Sequence, residues 1–307
     1  MLSSALLCAL CVGKPAPAHE GLAGEAAQFL QDHDALSAML EQIGFERQAM
    51  LMDLGDRRKL NHEVAVFFED RSDALALRRA MFADRKKMRA GLEPNSSGLA
   101  KPTKGTGVLS QDAASYIASY DAWAALQSQA ELDIAALRAA LGGNDPAALE
   151  AAARTLYADS RARLQKRLQW QQDIGAMKKD TGFKGAGKPA PPEKVPLTQH
   201  ALRYLNDRGA WEAYGLLVET DRNNLRAAVQ SGQSLDAVAR SFLAYRHARH
   251  VKGRELGLDL KALRKDVGLG GSAAQEIKPG TLFASKDLDR DEESSELEET
   301  ADSSGEK

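Results

Sequence analysis

The sequence predicts an all-α fold: an elongated helical bundle or coiled-coil hairpin, then a small C-terminal helical domain and a disordered acidic tail. Three observations carry this. Ala, Leu, Glu, Arg and Gln dominate a chain with 6% aromatic residues, and the Val/Ile/Thr/Tyr alternation that marks strands is nearly missing. Apolar residues recur every seven positions through several long stretches, the period of a helix with one buried face. The stretches are separated by short segments rich in Gly, Pro, Ser and Asn, residues that stop helices.

Residues 1–18 resemble a secretory signal peptide. Met1 to Val12 is apolar, and Ala16-Pro17-Ala18 has the small-x-small form of a cleavage site, although no Lys or Arg precedes the apolar run. Cys8 and Cys11 are the only cysteines, and their flanks are Leu, Ala and Val. A redox or metal role needs polar surroundings or a second ligand pair, so this Cys-x-x-Cys is read as part of the apolar run.

Residues 19–181 are expected to form the main bundle. Phe29, Leu36, Ile43 and Met50 fall seven apart, with Leu40 and Leu54 on the companion row, so these six form a candidate helix-association seam. His33 interrupts it and reads as a partnered edge histidine. A second stripe holds Leu60, Val64, Phe67, Phe68 and Leu75, so Gly21 to Met88 is one long helix or two in succession. Residues 91–107 are expected to be a flexible loop. Their Gly/Lys content does not meet the Gly-x-x-x-x-Gly-Lys-Ser/Thr spacing of a phosphate-binding loop, and no strand precedes them.

Ser110 to Lys179 predicts a helical hairpin. One arm carries Tyr116, Trp123, Ala130 and Leu137; the other carries Leu149, Ala153, Leu156, Leu164, Leu168 and Ile174. At the corner, Gly142 or Gly143 is expected to take the left-handed conformation, Asp145 to cap the second arm and Pro146 to occupy its first turn. Tyr116, Tyr120 and Trp123 read as core aromatics.

Residues 182–196 hold four prolines and three glycines, enough to act as a semi-rigid linker. Residues 197–268 form the expected small basic domain, with Thr198 and Ser234 as helix caps and a separate short helix from about Asp259 to Val267. Tyr204, Trp211, Val218 and Leu225 again fall seven apart. Thr198 to Gly268 holds twelve Lys/Arg against eight Asp/Glu, whereas Lys286 to Lys307 holds three against ten. Residues 269–307 are therefore read as a disordered acidic tail.

Catalytic motifs are missing. His62-Glu63 lacks the second histidine of a zinc-protease helix, and there is no Gly-x-Ser-x-Gly, Ser-x-x-Lys or Gly-x-Gly-x-x-Gly. His247 and His250 share a helix face, but Arg246, Arg249, Lys252 and Arg254 crowd them, and that charge disfavours a bound cation. No metal and no cofactor are expected. Arg246, Arg249, Lys252, Arg254, Lys261, Arg264 and Lys265 form the candidate anion- or partner-binding face. No segment approaches the roughly 20 apolar residues of a membrane span.

The expected function is non-enzymatic: an exported, periplasmic or secreted helical protein that binds other proteins or itself through helical seams, within a bacterial envelope or secretion assembly. The alternative is a cytoplasmic nucleic-acid-associated protein that uses the basic C-terminal helices, whose phosphate contacts would be salt-sensitive and sequence-blind.

Overall fold

A computed structural model describes residues 17–92, 99–185, 189 and 194–269. Among these the chain is all-helical, with six helices: α1 (Pro17–Met52), α2 (Arg57–Leu92), α3 (Leu109–Gly142), α4 (Pro146–Asp180), α5 (Leu197–Ser231) and α6 (Asp236–Asp266). The signal-like residues before Pro17, loop residues 93–98, most of the Pro-rich stretch and the acidic tail after Leu269 lie outside the described residues. The helices pair in chain order into three hairpins, α1/α2, α3/α4 and α5/α6.

The first hairpin turns at Asp53–Asp56, where the Asp56 carboxylate accepts from the Arg58 N–H at 3.0 Å and the Lys59 N–H at 3.2 Å. That satisfies donors that begin α2 without an intrahelical partner. Along α2 the buried positions Leu60, Val64, Phe67, Arg71, Ala74, Arg78 and Met81 alternate in steps of four and three, one continuous buried seam.

The second corner keeps the expected cap: Asp145 accepts from Ala147 and Ala148, and Pro146 opens α4. The left-handed residue differs from the expectation. Gly143 stays right-handed and donates to the Ala139 carbonyl, and Asn144 takes the positive φ of 50°. Asp145, preceding a proline, is held extended. The reversal therefore falls on Asn144, a residue that tolerates this region.

At the third corner Gly232 is left-handed with φ 66° and ends α5. Neither expected serine/threonine cap forms. Helix α5 starts at Leu197 behind Pro196, so Thr198 lies inside its first turn, and Leu235 precedes α6 with no side-chain cap bond. Nor is there a separate helix at Asp259; α6 runs unbroken to Asp266. Gly253 and Gly257 are buried packing positions within it. A Cβ on Gly253 would lie 3.4 Å from the Trp211 indole nitrogen, so the missing side chain lets α5 approach α6.

Two apolar cores organise the hairpins. The first joins most of α1/α2 to the corner half of α3/α4 (Ile134, Leu137, Leu149, Leu156) and to the open ends of α5 and α6 (Tyr204, Trp211, Leu256, Leu263). The second joins the open half of α3/α4 (Tyr116, Ile117, Ile174, Met177) to the corner half of α5/α6 (Val218, Leu225, Phe242, Leu243). Helices α5 and α6 thus contribute to both cores.

Residues 99–108 lie as a strap along α4. The Thr103 N–H donates to Gln169 at 2.7 Å, Gln165 donates to the Ala100 carbonyl at 2.7 Å, and Thr106 donates twice to Asp112. Gly105 lies so close to Ala176 that a Cβ there would sit 2.3 Å from the alanine methyl.

Candidate functional site

The basic residues on α6 do not form one continuous solvent face. Arg246 stacks over Trp170 of α4 with its guanidinium 5.7 Å from the ring centre, and Arg249 over Trp211 of α5 at 4.0 Å. Lys252 is tied to Asp207 at 2.9 Å and Glu255 at 2.6 Å. Arg264 donates to the Leu269 carbonyl. Arg254, Lys261 and Lys265 point outward. The seven-residue face is therefore split between cations held on neighbouring helices and a smaller exposed set. Of the nearby histidines, His247 packs edge-on against Phe183 at 6.2 Å and His250 is exposed. No group of three or more His, Cys, Asp or Glu side chains is placed to hold a metal among the described residues.

The candidate association seam is closed within the chain. Phe29, Leu36, Ile43 and Met50 are buried in the first core, with Leu40 and Leu54 packed half-buried at its edge. His33 sits beside this seam, 3.3 Å from the Asp34 carboxylate and 6.4 Å from the Phe29 ring.

Where the second and third hairpins meet, an aromatic and arginine cluster joins them. Tyr116, Tyr120 and Trp123 descend α3, and Trp170 of α4 packs edge-on to both Tyr120 and Trp123 at 6.2 Å. The buried Arg222 of α5 donates to the Tyr116 hydroxyl at 2.9 Å, lies 3.5 Å over the Tyr120 ring and pairs with Glu219. Burial pushes the Tyr116 hydroxyl up to about 12, against the lowering pull of Arg222. One turn on, Arg226 pairs with Asp121 of α3 at 2.6 Å. These contacts fix α5 on α3. A guanidinium between tyrosine faces is a dry, charge-dispersing arrangement suited to joining helices.

A feature absent from the sequence reading is carboxyl pairing across each hairpin. Glu46 meets Asp70 in the first, Asp112 meets Asp180 and Asp133 meets Asp159 in the second, and Asp207 meets Asp259 in the third. Burial, then the Asp70 carboxyl, pushes Glu46 up to about 8; burial, then Asp207, pushes Asp259 up to about 7. Burial alone would raise Asp112, but the Thr106 donors and Asp180 hold it below the usual range, while Asp180 rises. Two carboxyl groups within hydrogen-bond reach cannot both ionise cheaply, so one member of each pair is raised above the usual carboxylate range. The contact is closer than the roughly 5 Å or more that separates glycosidase carboxylates. The sequence did hold a signal. Glu46 stands three after Ile43 and four before Met50, and Asp259 stands three after Leu256 and four before Leu263, so both acids interrupt apolar stripes.

The largest apolar exposure in the first hairpin is at its corner. Phe45 and Met52, seven apart on α1, are 63% and 81% exposed, and Leu51 beside them is also exposed. No protein-family model matches this chain, and no curated protein or solved structure is significantly similar to it.

Proposed function

We propose that this chain is a non-enzymatic helical protein that binds other proteins, as an exported component of a bacterial envelope or secretion assembly. One observation carries the binding reading: Phe45, Leu51 and Met52 stand in water along the last turns of α1, whereas Met50 between them in sequence and Leu60 at the start of α2 are fully buried. A cluster of large apolar side chains on a well-packed corner is the kind of surface that contacts a partner. Covering it returns about 25 cal/mol for each Å² of apolar surface removed from water. Export is supported by the signal-like first 18 residues.

The test has two arms, both in the natural host. The N-terminal residue of the recovered protein is expected to be His19, and a chain retaining Met1 overturns export. A photo-crosslinking side chain placed at Phe45 or Met52 is expected to capture the same host protein from both sites, with capture lost on Leu51→Asp. The same probe at the exposed Lys166 of α4 serves as the control. Equal capture from all three sites, or none, overturns the binding reading.

A further inference from the structure

Two kinds of exposure coincide where α1 turns into α2. Phe45, Leu51 and Met52 stand in water on α1, and the first three residues of α2, Arg57, Arg58 and Lys59, are exposed cations. Two acids belong to the turn. Asp53 lies 4.0 Å from Lys59, and Asp56 holds the first N–H groups of α2. The cations still outnumber them. Large apolar side chains exposed elsewhere keep different company: Leu132 follows the exposed Glu131, and Leu216 lies between the exposed Glu212 and Glu219. Helix α4 exposes Lys166 and Lys179 but no large apolar side chain.

The chain leaves α6 at the same end of the molecule. Asp266 meets His200 of α5 at 2.6 Å. One turn along α5, Tyr204 packs on Phe67 of α2 at 5.8 Å, and Arg71 of α2 lies beside Tyr204 and Arg208, so α2 and α5 run in the same direction. The start of α2 is therefore level with the start of α5 and the end of α6, where Val267 packs on the first core. Gly268, left-handed at φ 77–79° like the other αL glycines of the loops, closes α6. Leu269 is then fixed by its N–H on the Arg264 carbonyl and by the Arg264 guanidinium on its own carbonyl. The exposed Lys265 adds a cation at this end.

The sequence beyond Leu269 complements that surface. Leu282 and Phe283 are adjacent, and Asp287 to Glu299 holds eight acids against one base, Arg290. Leu282 lies thirteen residues after Leu269, a stretch that spans up to about 43 Å when extended. We propose that residues 282–299 are the resting occupant of the α1/α2 corner: Leu282 and Phe283 cover Phe45, Leu51 and Met52, and the acids beyond them lie over Arg57, Arg58 and Lys59. A second copy is a poorer occupant, because a corner facing its own copy sets cations against cations. Attachment at Leu269 raises the local concentration of the segment to about the millimolar range, so a contact too weak to form between separate molecules is populated within one. The regulatory consequence rests on the reading of the corner as a binding surface: a host protein binds there by displacing the tail.

Paramagnetic relaxation in the full chain tests this. With Cys8 and Cys11 replaced by serine, a nitroxide on Ser285→Cys is expected to broaden the amide signals of residues 45–59 and to spare those of the α3/α4 corner, 142–146. The combined reversal Arg57→Glu, Arg58→Glu and Lys59→Glu is expected to cut that broadening at least threefold. Acids are favoured in the first turn of a helix, so α2 still forms in this variant. Raising salt from about 10 mM to about 1 M, which shortens the screening length from about 30 Å to about 3 Å, is expected to cut it as well. An unaffected corner overturns the proposal, as does broadening spread evenly over the surface or broadening that survives the charge reversal. Broadening that passes from a spin-labelled copy to an isotope-labelled, spin-free copy assigns the contact to a second molecule and overturns it too. In the host, Leu282→Ser with Phe283→Ser is expected to raise photo-capture from Phe45 at least threefold, and unchanged capture overturns the displacement. An open corner with host capture intact overturns tail docking alone; a covered corner that captures nothing in either form supports docking and overturns the host-protein reading.

Discussion

Helix α5 carries two stripes of the same period with opposite fates. Tyr204, Trp211, Val218 and Leu225 fall seven apart and are buried in the two cores. Leu202, Gly209 and Leu216 also fall seven apart and are exposed. The α1 seam of Phe29, Leu36, Ile43 and Met50 has the same spacing and belongs with the first kind. Period decides which residues share a face; it does not decide what covers that face. The difference lies in bulk and borders. The inner stripe is aromatic and large; α2 and α6 bring Arg71 beside Tyr204 and Arg249 onto Trp211, and Arg208 of α5 itself lies over the Trp211 ring. The outer stripe alternates leucine with glycine and stays exposed.

The largest effect is expected on the inner stripe. Trp211 is buried between the guanidinium groups of Arg208 at 5.2 Å and Arg249 at 4.0 Å, and against the gap left by Gly253. Trp211→Ala removes that packing from the first core and leaves two cations without the ring they stack on. It is expected to lower unfolding free energy by about 3 to 5 kcal/mol in urea titrations. A loss below about 1 kcal/mol, the level of ordinary surface changes, would erase the contrast between the two faces.

A second effect comes from acids that sit on inner faces. Asp259 of α6 lies against Asp207 of α5, with Arg203, His200 and Lys252 completing the charged groups around the pair. Its folded pKa is about 7 against an ordinary 3.8. A raised carboxyl favours folding fully at pH below its ordinary value, and that contribution is lost as pH rises through about 7. Since each pKa unit corresponds to about 1.4 kcal/mol, the loss between about pH 5 and pH 8 is on the order of 2 kcal/mol. Asp259→Asn keeps the shape and removes the titration. The stability drop between pH 5 and pH 8 is therefore expected to be smaller in the variant than in the parent. An equal drop in both would show that the pair holds no proton.

These particulars show where the sequence was legible. The helical class followed from composition and period, and the Asp145-Pro146 start of α4 followed from side-chain chemistry that acts within three residues. The choice of Asn144 over Gly143 depended on Pro146 holding Asp145 extended, a local rule applied one residue too early. What could not be read locally was set by partners distant in sequence. Gly253 reads as a packing position only once Trp211 is laid against it, and the α6 arginines look like a basic face until Trp170 and Trp211 draw Arg246 and Arg249 inward. The carboxyl pairs joined acids from opposite arms of a hairpin, so each appeared only as an odd residue on an apolar stripe.

The smallest effect tests the outer stripe by its indifference. In dilute solution Leu216 touches water over most of its surface, so Leu216→Ala removes little that the folded monomer had gained. Alanine is a slightly better helix former than leucine, and the exposed position has no cavity to leave. The unfolding free energy of dilute protein is therefore expected to change by no more than about 0.5 kcal/mol, while Val218→Ala, two residues on but buried, costs more. A Leu216→Ala loss of several kcal/mol in dilute protein would instead mean that the monomer itself covers this leucine, and the two faces of α5 would no longer differ in kind.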